Sequence, residues 1–325
     1  MTDRLTAVVT GAGGFIGGYL VKRLLSSGYE VRAVDIKPFN EWWQRSPDAE
    51  EWECLDVSTD YGARVACYNV NEVYNLACRI GGMGFISTQK LTCMLNVRVS
   101  AEMLPTALRE GVSRFFHSSS ACIYPVYLQN TDTTPFLKES DAYLADPEDG
   151  YGWEKLFTER LCRHFTEETS LDTRVARYHN IYGPHGTWRG GLEKAPAAMC
   201  RKVALAKIFD RKELEIWDGG TATRTFTYID DCIEGTMRVM HGPYADPVNI
   251  GSDEVVTIDE LARTVEQVAG IELQHVYVPG PRGVQGRSSD NTLIRERYDW
   301  EPSVKLLHGI ENTYAWVHDQ LKRSI

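Results

Sequence analysis

The opening of the chain restricts its fold more than any other segment. Leu5 to Thr10 (LTAVVT), a short apolar run, leads directly into Gly11, Gly13, Gly14, Gly17 and Gly18. The run reads as a buried parallel strand, and Phe15 to Leu25 carries apolar residues at helical spacing up to a Ser26-Ser27-Gly28 stop. The spacing G-x-G-x-x-G is not met, because Ile16 stands where its third glycine belongs. G-x-x-G-x-x-G is met, by Gly11, Gly14 and Gly17. Glycine lets the backbone turn tightly and approach a pyrophosphate, while the amides of Phe15, Ile16 and Gly17 at the start of the helix face the anion. A second strand, Glu30 to Asp35 (EVRAVD), places Asp35 18 residues after Gly17, where a carboxylate meets the ribose hydroxyls of a dinucleotide. A carboxylate there repels a 2′-phosphate, so the expected cofactor is NAD rather than NADP, with Arg32 and Lys37 as the opposing charges. Asp56-Val57, after a third strand, either brackets an adenine or is an ordinary strand end. Leu76-Ala77 is expected to pass beneath the cofactor.

Glu72 to Cys78, Arg114 to Ser119 and Asp172 to Tyr178 read as further strands, with helices over Ser87 to Glu110 and Tyr151 to Thr166. Pro105 lies inside the first of these helices, where proline costs about 3 kcal/mol, so a kink or break is expected there. Strands alternating with helices of this length specify an α/β fold: a Rossmann-type, doubly wound parallel sheet. After Gly183 the rhythm loosens. Strands Glu213 to Trp217 and Val248 to Gly251 are interspersed with helices Pro196 to Lys207, Asp230 to Met240, Ile258 to Ala269 and Leu306 to Lys322. Residues 1–183 are therefore expected to form the cofactor-binding domain and 184–325 a smaller mixed α/β substrate-binding lobe, with a strand or helix exchanged between them. Trp42, Trp43 and Trp52 are expected at the surface or an interface.

The 325 residues carry 35 basic and 45 acidic side chains, a net charge of −10. That balance argues against a dedicated nucleic-acid binder and against an anionic membrane surface. No stretch reaches the roughly 18 apolar residues of a membrane span. The eight cysteines show no C-x-x-C spacing, so no metal site is expected. Met1 to Thr10 does not read as a leader, and free thiols in the cytoplasm are expected.

Tyr151 and Lys155 form Y-x-x-x-K, which puts both side chains on one face of a helix. A phenol of pKa about 10 is a poor base at neutral pH. A neighbouring ammonium and an oxidised nicotinamide favour phenolate, giving an acid/base couple for a sugar hydroxyl while hydride leaves. Ser120, after the strand, can hold the same hydroxyl. This set resembles the extended short-chain dehydrogenase/reductase family. The segment SSACIYP (Ser119 to Pro125) lacks both the Thr or Ser and the Asp-Glu pair that other sugar-nucleotide members carry near Cys122. A thiol at that place is either a reactive thiolate beside a cation or a buried, inert cysteine.

Four more segments extend the resemblance: GGMGFI (Gly81 to Ile86), RYHNIYGPHGTW (Arg177 to Trp188), GGLEKAPAAMCRK (Gly190 to Lys202) and GVQGRSSDN (Gly283 to Asn291). Together they are similar to the GDP-mannose 3,5-epimerase family, from the glycine turn to the last helix. That resemblance implies Cys122 and Lys194 as the epimerising acid/base pair. It implies a substrate site lined by Gly81, Ser120, Ala121, Tyr151, Asn180, Glu193, Ala195, Lys202, Arg224 and Arg287, a GDP-mannose or related sugar-nucleotide substrate, and a homodimer. Arg224 and Arg287 suit bidentate binding of a diphosphate or ribose; His179 and His185 read as packing residues. Cys78 and Arg79 depart from the family pattern, as do parts of 126–149 and 203–211. Oxidation at carbon 4 would acidify carbons 3 and 5, so one redox site serves two inversions. The competing readings are a 4-epimerase, which needs Tyr151 and Lys155 but neither Cys122 nor Lys194, and a silent NAD-binding scaffold.

Overall fold

The computed structural model describes residues 4–281 and 283–324; Met1 to Asp3, part of the opening read above for a leader, lie outside them. β1 (Thr6–Thr10) runs into the glycine turn and α1 (Phe15–Ser26), followed by β2 (Glu30–Val34), β3 (Glu50–Trp52), α2 (Asp60–Cys67) and β4 (Glu72–Asn75). Three helices, α3 (Met83–Thr88), α4 (Lys90–Met94) and α5 (Val97–Arg109), lead to β5 (Arg114–Ser120). The short α6 (Val126–Gln129) and β6 (Phe136–Leu137) precede α7 (Asp149–Glu168), β7 (Asp172–Tyr178) and β8 (Ile181–Tyr182). The second half opens with α8 (Ala195–Ile208), β9 (Glu213–Trp217), β10 (Thr223–Thr225), β11 (Thr227–Tyr228), α9 (Ile229–His241) and β12 (Val248–Ile250). It ends with β13 (Val255–Thr257), α10 (Ile258–Ala269), β14 (Gln274–Val278), β15 (Gly286–Ser289), α11 (Thr292–Tyr298) and α12 (Leu306–Ser324).

Seven strands form one parallel sheet in the order β12-β7-β5-β4-β1-β2-β3. Successive residues of a strand leave opposite faces. Ala7 and Val9 of β1 join one core with Ile229 and Val239 of α9, while Val8 joins the other with Val73, Met103 and Phe115. Both faces are therefore buried, as a doubly wound sheet requires. Strand order reverses between β1 and β4, and a ligand crevice is expected at such a switch. There a Cβ on Gly11 would lie 3.1 Å from the backbone of Leu76 and Ala77. The two halves exchange strands. β12 from the second half pairs with β7, and β6 from the first half pairs with β15 in the sheet β13-β10-β15-β6.

Two expectations are corrected. The helix expected over Ser87 to Glu110 is broken at Gln89 and again before Val97, not at Pro105. Pro105 stays inside α5 because it and Ala101, whose carbonyl loses its donor, both face solvent, and water replaces the lost bond. Trp42 is not a surface residue: it is buried over Gly13, and its Nε1 donates to the Lys37 carbonyl (3.0 Å). Trp43 and Trp52 are exposed.

A buried ion pair fixes the helix that carries Tyr151 and Lys155. Arg177 on β7 donates through Nε and Nη2 to Glu159 on α7 (3.0 and 2.7 Å), and the Ser119 hydroxyl on β5 donates to the same carboxylate. Removing one partner of such a pair strands a buried charge at a cost of about 3–5 kcal/mol. α7 is thereby held against the end of β5.

Candidate active site

The glycine turn is built by close approach. Gly11 adopts φ +73°, and its carbonyl accepts the Gly14 N–H (3.0 Å). A Cβ on Gly17 would lie 2.2 Å from that carbonyl oxygen. α1 starts at Gly14 without a side-chain cap, and Gly18 N–H makes the first bond back to Gly14 (3.2 Å), leaving the amides of Phe15, Ile16 and Gly17 for an anion. The Leu76 and Ala77 amides both donate to Thr10 Oγ1 (3.2 Å each), which keeps them against Gly11. Asp35 follows β2, buried; its carboxylate accepts the Lys37 N–H (3.0 Å). Burial pushes it up, and the amides of Lys37, Gly13 and Ile36 oppose the shift. The Asp56 carboxylate is occupied by the Ser58 amide and hydroxyl (2.9 and 2.7 Å), a turn ahead of α2. A cradle that a side chain would fill, uncapped helix amides and a carboxylate beyond β2 fit a dinucleotide with free ribose hydroxyls.

Tyr151 and Lys155 are both buried on α7, with Lys155 Nζ 5.7 Å from the Tyr151 ring centre. Ser120, ending β5, hydrogen-bonds the phenol, and its Oγ accepts the Cys122 N–H (3.2 Å). Burial, then Cys78, Cys122 and Glu154, hold Tyr151 well above its ordinary value, with the Ser120 bond opposing them. Glu154, the last of these, lies 3.8 Å from the Lys155 ammonium through its carboxylate. Burial pulls Lys155 down, but Glu154, the thiols of Cys78 and Cys162, and Glu159 outweigh it.

Cys122 lies in a single 3-10 turn, Ala121–Ile123, directly after β5. Lys194 caps α8, whose first residue is Ala195; Pro196 in the first turn has no amide to lose. Lys194 is exposed although protein crowds around it. That crowding lowers its pKa, with the thiols of Cys122 and Cys78 acting in the opposite direction. The glycine-rich segment after β4 meets this block directly: Gly82 N–H donates to the Leu192 carbonyl (2.9 Å), and a Cβ on Gly82 would lie 2.4 Å from the Glu193 oxygen. On Gly81 it would crowd Phe85 at 2.7 Å. Glu193 holds Arg201 with one oxygen (2.7 Å) and leaves the other buried without a partner. Lys202 reaches the Glu215 carbonyl (2.8 Å) and stands 5.5 Å over the Trp217 ring. Asn180, at φ +47°, donates to the Thr225 carbonyl (2.9 Å).

With this geometry in place, comparison with known proteins decides the family. The profile described as "NAD dependent epimerase/dehydratase family" matches residues 7–251. The chain belongs to the NAD dependent epimerase/dehydratase family. It is similar to GDP-mannose 3,5-epimerase 1 of Oryza sativa subsp. indica, 45% identical over 99% of this chain and 84% of the relative. It is similar to GDP-mannose 3,5-epimerase of Arabidopsis thaliana at 43% over the same shares. Among solved structures, the Thermotoga maritima UDP-glucose 4-epimerase with UDP-glucose superposes with a TM-score of 0.86 over 98% of this chain and 100% of that one. At 24% identity that likeness shows the shared fold.

In this epimerase/dehydratase chain both arginines hold protein partners. Arg224 donates inward to the Thr223 and Val284 carbonyls (2.7 Å each), and burial lowers it to about 10. All three Arg287 nitrogens are engaged: Nε with Gln129 (2.6 Å), Nη1 with Cys122 Sγ (3.4 Å) and Nη2 with Glu148 (2.7 Å). A diphosphate would have to displace these partners. His179 is buried against Asn249 (3.0 Å) and pushed down to about 3, while His185 packs on Trp316. Four residues of the site were not singled out in the sequence as functional: Cys78, Glu148, Gln129 and Glu154. Glu148 had a signal, since it stands three positions before Tyr151, one helical turn away. Gln129 had none.

Proposed function

We propose that the protein inverts GDP-mannose at carbons 3 and 5, giving GDP-L-galactose and, with inversion at carbon 5 alone, GDP-L-gulose, through transient oxidation at carbon 4. The observation that carries this reading is the grouping of Cys122 and Lys194 with Tyr151 and Ser120: a thiol and an amine beside an acid/base couple that alone would serve only the redox step. NAD, when bound, supplies the reversible two-electron acceptor. Tyr151 takes the proton of the carbon-4 hydroxyl, which Ser120 holds, and Lys155 stabilises the charge on that couple. A ketone at carbon 4 acidifies the neighbouring C–H bonds. At each of these carbons Cys122 removes one proton and Lys194 donates one to the opposite ring face, and on re-reduction of carbon 4 Tyr151 returns the hydroxyl proton; an acid and a base so placed contribute about 10²–10⁴-fold. Glu193, with one buried oxygen unpartnered, and Asn180, Lys202, Gly81, Ala121 and Ala195 line the substrate.

Proton NMR of GDP-mannose with the enzyme in deuterium oxide tests the reading. Deuterium should enter at carbons 3 and 5 and not at carbon 4, and Tyr151→Phe should stop all exchange. Exchange continuing at the wild-type rate in that variant would show that carbon-4 oxidation is not the activating step.

We also propose a homodimer in the cytoplasm. Leu91, Met94, Leu95, Trp153 and Phe157 are 46–73% exposed along α4, its C-terminal edge and α7, which are tied by the Lys90–Asp149 bridge (2.6 Å). An apolar face of this kind is covered in stable proteins. Light scattering should give a dimer, reduced to monomer by Phe157→Glu; a monomeric wild-type chain would refute it. All eight cysteines are unpaired, in keeping with a reducing compartment. Among the described residues no helix is long and apolar enough to cross a membrane.

A further inference from the structure

Cys122 sits at the end of a buried chain of polar groups drawn from four segments. Arg287, on β15, spans its length. Its Nη1 contacts the Cys122 sulfur at 3.4 Å, its Nη2 donates to Glu148 Oε2 at 2.7 Å, and its Nε donates to Gln129 Oε1 at 2.6 Å. Arg287, Glu148 and Gln129 are all buried. Gln129 is fixed in turn, its amide donating to the carbonyls of Tyr124 and Pro125 (2.9 and 3.1 Å). Glu148 is fixed by its backbone: its N–H donates to the Cys122 carbonyl (3.0 Å), and its own carbonyl accepts the Gly152 N–H at the start of α7 (3.1 Å). One acidic residue thus grips the backbone of the cysteine and the arginine that touches its sulfur.

We propose that Glu148 is a positioning residue for Cys122, holding Arg287 with one nitrogen on the sulfur and setting how much of that cation's charge the sulfur experiences. This rests on the reading of Cys122 as the carbon-acid base. A bare guanidinium against the thiol would hold it as permanent thiolate, a base that does not easily return a proton. A bare carboxylate would keep it a thiol. A reversible proton carrier needs something between, and a neutralised cation 3.4 Å away provides it.

The groups facing Cys122 come from the elements around it: Arg287 of β15, Glu148 ahead of α7, Tyr151 on α7, Lys194 at the cap of α8, Arg224 of β10 and Cys93 of α4. Burial raises the Cys122 thiol; Arg287 opposes that shift and Glu148 reinforces it. Burial also raises Glu148, but Arg287 and then Arg224 more than reverse it, so Glu148 remains an anion.

Glu148→Gln is close to isosteric. The amide oxygen still accepts from Arg287, so the geometry survives while the negative charge is lost. The test is iodoacetamide alkylation of Cys122 against pH, followed on the peptide that contains it in the NAD-loaded enzyme. The expected result is an alkylation midpoint about one pH unit lower than in the wild type, with the acid limb of epimerisation kcat/KM moving the same way. The double variant Glu148→Gln/Arg287→Met, which buries neither charge, should bring the midpoint back up. A midpoint in Glu148→Gln that is unmoved or raised overturns the proposal, because a purely structural anchor would leave the thiol's titration where it was. Failure of the underlying reading shows separately. If Cys122→Ala retains full epimerase activity, Cys122 is not the base, whatever its alkylation curve does.

Discussion

At the residue scale, the proposed chemistry divides between a redox couple and a proton-exchange pair, and the division is testable one side chain at a time. Cys122→Ala should lose epimerisation by about 10²–10⁴-fold while GDP-mannose still binds and carbon 4 is still oxidised reversibly, visible as transient nicotinamide absorbance. Cys122→Ser should be nearly as poor, since a hydroxyl is a much weaker base than a thiolate, and Lys194→Ala should resemble both. Full activity in Cys122→Ala would leave a packed thiol and an enzyme closer to a 4-epimerase. These residues were legible in the sequence because each sits in a short contiguous segment, SSACIYP or EKAPAA. Their modulators were not. Arg287 reaches the sulfur only because β15 crosses to the end of β5, and Glu148 and Gln129 meet it from two different turns. No local periodicity records such a crossing. For the same reason the sequence, which marks Arg287 as suited to a diphosphate or ribose, gives no sign that all three of its nitrogens meet protein groups.

At the element scale, the strand–glycine–helix opening and the strand β7 were readable because one short-range constraint set each. A Cβ at Gly17 collides with the turn, and β7 is an unbroken run between clear ends. The helices before β5 were less readable, since solvent exposure of Pro105 and Ala101 is a tertiary fact that removes the penalty that proline normally imposes. A second feature only partly legible in sequence, which read His179 as a packing residue and did not mark His117, is the pair of histidines buried at the sheet. His117 on β5 has both ring nitrogens without partners, and burial holds it well below its usual value of 6.5; His179 is lowered to about 3. Between those values the unfolded chain takes up protons that the folded chain refuses. Stability is therefore full above pH 6.5 and falls as pH drops towards 3, by up to about 1.4 kcal/mol per pH unit for each histidine. His117→Phe puts an apolar ring in an apolar place. Urea unfolding measured from pH 7 to pH 4 should give a shallower loss of stability than in the wild type, whatever constant offset the larger ring adds. An unchanged slope would mean that His117 titrates normally in the folded chain.

At the scale of the whole molecule, the boundary expected near residue 183 does not divide the fold, although the proposed site draws on both sides of it. The first part carries the dinucleotide cradle, Tyr151, Lys155 and Cys122; the second supplies Lys194, Glu193, Lys202 and Arg287. Yet the seven-stranded sheet takes its outer strand β12 from the second part, and α9 covers the face of β1 and α1. One core joins Ala7, Val9 and Leu20 from the first part to Ile229, Val239, Ile250 and Val317 from the second. β6 makes the reverse exchange, pairing with β15 beside Arg287. The proposed site, assembled from both parts, needs Cys122 and Lys194 held at fixed separation, and interlocked strands provide that where a flexible hinge would not. The consequence is that neither part should fold alone. A fragment of residues 1–183 leaves β7 as a bare edge and one sheet face uncovered, and domains whose cores are shared unfold together. The fragment should lack near-ultraviolet circular dichroism and should not retain NAD. The full chain should show a single calorimetric transition, raised by NAD and raised again by GDP-mannose, since each ligand binds only the folded state. A soluble fragment 1–183 that holds NAD, or two separable transitions of which only one responds to NAD, would make residue 183 a true folding boundary and the exchanged strands an accessory to it.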